Sequence, residues 1–225
     1  MVRLRDVTRT VGMLRSDGID GFFAYKYDEM ARLPAFRPDY RDTAESIAEL
    51  IDEGLVLEIG PGPGFATIEL AKLVQGVQII CLEASKTMIE IASGHVAEEG
   101  LGERITFQEG VAHRLPFPDE YFDLVISSGS LHEWREADKA FAEMHRVLKD
   151  GGRVRVTDLR RDADQEALDE LASAIPSALM RWGLRHSVGE AYTKQKLEDL
   201  LDRTPWSDYE IVESPLEVCV TLWKR

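Results

Sequence analysis

From residue 55 onward the chain switches repeatedly between two hydrophobic periods, and that alternation restricts its fold more than any other feature. Leu55–Ile59 and Val77–Leu82 are short, nearly unbroken apolar runs, suited to strands buried on both faces. Between them, Ala66–Val74 reads as a helix, with Phe65, Ile68, Leu73 and their neighbours at helical spacing. Ser85 is a good N-cap for a helix over Lys86–Glu98, and Gly100 stops it. Arg104–Gln108, Phe122–Ser127 and Arg153–Thr157 read as further strands. Arg135–Leu148 is amphipathic, with Phe141, Met144, Val147 and Leu148 on one side, and Asp150-Gly151-Gly152 ends it. Near the C-terminal end Tyr192 and Leu197 bracket Thr193 as a hydrophobic staple around the N-cap of Lys194–Leu201. Tyr209–Val212 and Glu217–Leu222 read as two closing strands. The pattern predicts an α/β fold, a doubly wound and mostly parallel sheet covered by helices on both faces.

Two segments stand outside this alternation. Residues 1–50 read as mostly helical, and Leu4, Val7, Val11 and Leu14 form one apolar stripe. The stripe packs on its own domain or makes a dimer contact, so a monomer and a homodimer are both expected states. Residues 161–185 form a second helical segment, with Leu168, Leu171, Ile175 and Leu179 on one face and a kink at Pro176. A length of 225 residues fits one domain. Its expected parts are a helical cap at 1–50, a core at 51–160, a helical insertion at 161–192, and a closing helix and strands at 193–225.

The charge balance excludes some partners. A formal net charge of −14 argues against a nucleic-acid backbone, whose binders spend lysine and arginine on phosphates. No apolar run approaches the roughly 20 residues that span a bilayer, so no membrane partner is expected. The opening MVRLRDVTRTVGMLR is broken by charges and lacks the apolar region of a signal peptide. A cytoplasmic location follows as the expectation. Cys81 and Cys219 both lie in apolar runs and read as buried free thiols. No Cys/His spacing suggests a metal site. There is no G-x-S-x-G elbow and no P-loop lysine after the glycines.

The chemistry-bearing stretch is LEIGPGPGFA, Leu57–Ala66, between the first strand and the first helix. Parallel sheets bind ligands beyond the C-terminal ends of their strands. Gly60, Gly62 and Gly64 allow positive φ and let a ligand touch the main chain, while Pro61 and Pro63 stiffen the loop. The following helix offers unpaired N–H groups to an anionic group. A dinucleotide fingerprint needs a small residue where this chain has Phe65, which disfavours a nicotinamide-dependent reductase.

The wording E-x-G-x-G-x-G, with Glu58 as its acid, resembles the first motif of class I S-adenosylmethionine-dependent methyltransferases. From Leu55 to about Val156 the order is similar to that family: VLEIGPGPG, the acid Glu83, GVAHRLPF, FDLVISSGSLHEW and RVLKDGGRV follow one another. LPFPDEYFD resembles the subgroup acting on quinones and other small metabolites, and SPLEVCVTLWKR fits the antiparallel last strand of a seven-stranded, Rossmann-like sheet. The resemblance implies S-adenosyl-L-methionine as cofactor and a small-molecule acceptor. It implies a cofactor site of Glu58, Gly60, Gly62, Gly64, Glu83, Ala84, Met88, Val111, Ala112 and Ser128. Glu83, at the tip of the second strand, is placed to accept both ribose hydroxyls, with charge-assisted bonds contributing on the order of 1.5–3 kcal/mol each. Met88 packs under the nucleoside or simply in the core. Members of similar wording carry an aspartate, which accepts from the adenine amino group, where this chain has Val111. Valine accepts nothing; the Ala112 N–H can still donate to the ring, and His113 or Gln108 are candidate substitutes.

Methyl transfer from a sulfonium needs alignment and dryness more than a fixed catalytic set. On the acceptor side, Ser130, His132, Glu133 and Trp134 follow the fourth strand. His132 is the candidate base, with a loop histidine bonded to backbone as its alternative. Tyr25, Tyr27 and Phe36 are candidates for one wall, and Met180, Trp182 and His186 for the other; packing is the alternative for each. A non-catalytic module that keeps the cofactor pocket also stays open, as do protein acceptors; the charge counts against RNA.

Overall fold

The computed structural model describes residues 18–225, so the stripe Leu4, Val7, Val11 and Leu14 lies outside the described residues. Seven strands form one sheet: β1 (Glu53–Ile59), β2 (Gly76–Glu83), β3 (Ile105–Glu109), β4 (Phe122–Ser128), β5 (Leu148–Leu159), β6 (Tyr209–Glu213) and β7 (Glu217–Trp223). Their order across the sheet is β3-β2-β1-β4-β5-β7-β6. The pairs among β1 to β5 are parallel, and β7 runs antiparallel to both β5 and β6. This is the doubly wound, Rossmann-like sheet with an antiparallel last strand that the sequence implied. Strand order reverses between β1 and β4, so the loops after these two strands diverge and open a crevice.

Among the described residues eight α-helices surround the sheet: α1 (Phe22–Ala31), α2 (Arg37–Ala48), α3 (Phe65–Leu73), α4 (Lys86–Glu98), α5 (Ala137–Val147), α6 (Gln165–Ser173), α7 (Ala178–Glu190) and α8 (Lys194–Leu201). Successive side chains of a strand point to opposite faces. Accordingly Val56 joins a cluster with Ile79, Leu124, Ile68, Val96 and Ile47 under α2, α3 and α4. Its neighbour Leu57 joins Val125, Val154, Phe141, Met144 and Leu197 under α5 and α8. Burying each such side chain contributes roughly 1.5–3 kcal/mol, so both faces are core and neither is free for a ligand. What remains for a ligand is the C-terminal edge.

The caps behave as their chemistry dictates. Ser85 Oγ accepts from Met88 N at 3.1 Å and Thr193 Oγ1 from Lys196 N at 3.3 Å. Gly100 follows α4 with φ +69°. Leu197 is fully buried, with Tyr192 packed on the same cluster.

Some elements differ from expectation. The helix expected over Arg135–Leu148 runs only from Ala137 to Val147, and Leu148 already pairs with Phe122 as the start of β5. The Asp150-Gly151-Gly152 turn therefore sits inside a strand that continues past it, with Gly151 at φ +79°. Leu73 is 40% exposed, because five residues on from Ile68 is about 140° around the helix. Pro176 separates two helices, α6 and α7, and the second runs on to Glu190. The break resets the helical phase, so Ile175 is buried while Leu179 is exposed. Cys81 is buried as expected, but Cys219 is only half-buried.

The cap helices are tied to the sheet by arginines: Arg155 Nη1 donates to Ser46 O at 2.6 Å and Arg153 Nη1 to Leu50 O at 3.2 Å.

Candidate active site

Gly60, Gly62 and Gly64 have φ of +67°, +55° and +81°, the left-handed region that only glycine adopts without strain. The loop turns tightly: Gly60 N donates to Leu82 O at 2.9 Å and Gly64 N to Pro61 O at 3.1 Å. A β-carbon at Gly60 would lie 2.6 Å from the Ser130 side chain, so the loops after β1 and β4 meet here. A β-carbon at Gly62 would meet only the Tyr27 ring, at 3.9 Å. Its main chain is left open to the cavity.

Two carboxylates face this loop. Glu83, 6% exposed, accepts from Ser85 N at 3.0 Å and from Gly62 N at 3.4 Å. Burial pushes its pKa up; the backbone N–H bonds oppose that, and Asp20 adds to it. Glu58, 3% exposed, accepts from Thr67 Oγ1 at 2.5 Å. Burial drives its pKa to about 7, against the Thr67 bond and with help from Glu83. Glu58 is thus a brace between β1 and α3 as well as a wall of the site.

The loop is held from behind. His95 on α4 pairs its Nδ1 with Pro63 O at 2.8 Å and stacks on Phe65, ring centroids 4.7 Å apart. Its Nε2 lies 3.4 Å from Asp28 Oδ1 on α1, so the loop and the cap helix share one buried imidazole. Asp20 makes a second tie, accepting from Ser85 Oγ at 2.8 Å and Thr87 N at 3.3 Å beside Glu83.

A cavity of about 860 Å³ starts at these groups and extends to the helical segments. Of the residues expected to hold a cofactor, Glu58, Gly60, Gly62, Glu83, Ala84, Met88, Val111, Ala112 and Ser128 line it. Gly64 does not; it is the N-cap of α3. Val111 forms a bridge with Arg114 and stands between this cavity and a second one of about 340 Å³ lined by Glu109 and Arg114. Of its two candidate substitutes, His113 lines the larger cavity and Gln108 does not.

On the far side Tyr27, Trp134 and Trp182 line the cavity, with Phe36, Met180 and His186. Trp182 stacks on His186 at 5.3 Å. Tyr25 does not line it: the residue is 53% exposed. Residues two apart on a helix lie about 200° apart, so α1 turns Tyr27 inward and Tyr25 out. The Tyr27 phenol is driven up to about 12, first by burial and then by the charges of Glu133, Asp158 and Glu83.

His132 also lines the cavity, and its partner is a residue the sequence reading missed. Its Nδ1 lies 2.9 and 3.0 Å from the two oxygens of Asp158, which is 2% exposed. Asp158 Oδ2 also accepts from His132 N at 2.6 Å. Asp158 is the penultimate residue of β5, one past Thr157, which pairs with Ser128 at the tip of β4, and this puts it beside the histidine that follows β4. The signal was available: an acid at the C-terminal tip of a parallel strand, the same cue that identified Glu83.

The fit to the implied cofactor is good: an open glycine backbone, a buried carboxylate bonded to it, and a helix N-terminus meet in one cavity. Residues 57–156 match a family model described as a methyltransferase domain. A solved structure from Methanococcus maripaludis, described as a candidate S-adenosyl-L-methionine-dependent methyltransferase, is 30% identical with a TM-score of 0.75, over 89% of this chain and 91% of its own. The chain belongs to the S-adenosylmethionine-dependent methyltransferases. YcgJ of Bacillus subtilis, an uncharacterized methyltransferase, is 37% identical over 126 residues, 56% of this chain and 48% of its own. The chloroplastic 2-methyl-6-phytyl-1,4-hydroquinone methyltransferase 1 of Oryza sativa subsp. japonica is 35% identical over 132 residues, 58% of this chain and 39% of its own. The matches thus span less than half the length of these two curated relatives.

Proposed function

We propose that this chain transfers the methyl group of S-adenosyl-L-methionine to a small, partly apolar acceptor of quinol type. One observation carries the reading: the buried Glu83 carboxylate and the open glycine backbone share a cavity with the aromatic walls of Tyr27, Trp134 and Trp182. When bound, the cofactor supplies a methyl group already activated as an electrophile by its sulfonium.

Glu83 would hold the ribose hydroxyls and Gly60 and Gly62 the amino-acid tail. Glu58, which lines the same cavity, would face that tail as well. Ala84, Met88, Val111 and Ala112 would enclose the base, and Ser128 the floor between the cofactor and acceptor halves. The aromatic and apolar side chains opposite exclude water and hold the acceptor in line; such alignment supplies roughly 7–11 kcal/mol. The cap of residues 1–50 and the insertion of 161–192 select the acceptor, and 51–160 serve the cofactor. A net charge of −14 speaks against a nucleic-acid acceptor, and the name of the rice relative speaks for a quinol. No helix among the described residues is long and apolar enough to cross a membrane, which is consistent with a cytoplasmic site of action.

Calorimetry with S-adenosylhomocysteine tests the reading. Binding is expected, and Glu83→Ala should weaken it about tenfold or more, the equivalent of about 1.4 kcal/mol. Uptake of NADH with no uptake of S-adenosylhomocysteine would overturn it in favour of a reductase; Phe65, stacked on His95 at the start of α3, argues against that result.

A further inference from the structure

We infer that Asp158 positions His132 as a general base, and that the acceptor therefore presents its nucleophile as an O–H or N–H group. This rests on the methyl-transfer reading and deepens it. A sulfonium methyl needs no help to accept a nucleophile, so a base is useful only where the nucleophile arrives with a proton.

The geometry is that of an oriented imidazole. Both Asp158 oxygens lie within 3.0 Å of Nδ1, which fixes the ring and places the proton on that nitrogen. Nε2 is left as the nitrogen for the acceptor, in a ring that lines the cavity. Asp158 is buried, does not itself line the cavity and also accepts from Leu159 N at 2.7 Å, so toward the acceptor it acts through His132, as a positioning residue. As the acceptor heteroatom bonds to the methyl carbon, the C–S bond breaks and its electron pair stays on sulfur. The acceptor's proton passes to Nε2, giving an imidazolium stabilised by Asp158, and leaves to solvent after release.

The groups around His132 come from several elements. Glu133 follows it, with Oε1 4.0 Å from Nε2; Glu190 faces it from α7; Tyr27 faces the same charges from α1; Glu217 on β7 adds its field at Asp158. Burial favours the neutral ring, but these carboxylates, Asp158 foremost, raise the pKa above the ordinary 6.5. The base form of the imidazole therefore appears only as pH rises through a value above the ordinary one. Removing the Asp158 charge should move the transition to lower pH.

The test uses Asp158→Asn and His132→Gln, each saturated with S-adenosylhomocysteine for binding and NMR. In the wild type, His132 should titrate above 6.5; in Asp158→Asn its midpoint should fall by about one pH unit or more. Cofactor affinity should change less than threefold in either variant. Methyl transfer is then followed from pH 6 to 9 with hydroquinone, catechol, 4-nitrophenol, phenethylamine and histamine as probes. Turnover of at least one probe is expected, with its acidic limb moved to lower pH in Asp158→Asn and its rate at least a hundredfold lower in His132→Gln. An unmoved His132 titration overturns the positioning role, and an unchanged pH–rate limb does the same. Transfer at the wild-type rate by His132→Gln overturns the base. Transfer to none of the probes overturns the acceptor class. Loss of S-adenosylhomocysteine binding by the wild type is a different result, which overturns the methyl-transfer reading beneath both.

Discussion

Glu58 is a carboxylate held away from water, bonded to one hydroxyl, next to a second buried carboxylate. Its folded pKa, about 7, lies above its ordinary 4.5, so the native state holds the proton more tightly than the unfolded chain. The stability this contributes is present below about pH 4.5 and is lost as pH rises through about 7. Glu58→Gln keeps an acceptor for Thr67 and removes the charge. Thermal melts should show the two proteins equal near pH 5 and the variant more stable at pH 8, by at most about 3 kcal/mol. A gain independent of pH would mean that Glu58 is not protonated on folding. Gly60 makes a second prediction at this scale. Gly60→Ala carries both the strain of φ +67° and the 2.6 Å contact with Ser130, and should cost about 1–3 kcal/mol. Adding Ser130→Gly should recover part of that loss in a denaturant melt, since it relieves the contact and leaves the strain. Full recovery would show the left-handed backbone to be harmless here.

Elements show how far local sequence reaches. Strands β1, β2 and β4 were legible because runs buried on both faces need no alternation to be recognised. The caps of α4 and α8 were legible because a capping side chain bonds within its own next three residues. The start of β5 was not: Lys149-Asp150-Gly151-Gly152 has every local mark of a terminator, and only pairing with β4 keeps it in the sheet. Tyr25 and Tyr27 looked alike as wall candidates until the helical phase of α1 was fixed by what it packs on. His95 and Asp20 escaped notice because their partners lie 32 and 65 residues away, whereas Asp158 carried the strand-tip cue but no local sign of its histidine, 26 residues away. Ser85 joins two elements, capping α4 and donating to Asp20. Ser85→Ala should therefore cost about 1 kcal/mol through the lost cap and also loosen residues 18–24. Asp20→Ala should loosen the same residues and free Thr87 N while leaving the Ser85 cap on Met88 N in place; hydrogen exchange at Met88 separates the two. Hydrogen bonds from Thr87 and Ser85 draw the Asp20 pKa down to about 2, so its tie is present above the ordinary carboxylate range and lost as pH falls toward that value. Equal protection of residues 18–24 in both variants and the wild type would show that the tie does not hold the cap.

At the scale of the whole molecule, the cavity is walled by the tips of β1, β2 and β4, by the glycine loop, by α1 and α2, and by α6 and α7. A ligand filling it touches segments far apart in sequence, which can separate only if the ligand leaves. Binding to the folded state alone stabilises it by RT ln(1 + [L]/Kd), about 2.7 kcal/mol at a hundredfold excess over Kd. For a chain of this size each kcal/mol moves Tm by about 2–4 °C. S-adenosylhomocysteine at that excess should raise Tm by roughly 5–10 °C. Glu83→Ala at the same ligand concentration should forfeit about half of that rise, because a tenfold weaker Kd removes about 1.4 kcal/mol of it. The unliganded variant serves as the baseline, so any intrinsic change in stability cancels. Scanning calorimetry should show one transition rising as a unit, since the ligand touches both the core and the helical segments. A transition that splits, with the low-temperature part indifferent to the ligand, would mean that the cap and insertion do not close on the cofactor, and that acceptor selection lies elsewhere on the sheet's C-terminal edge.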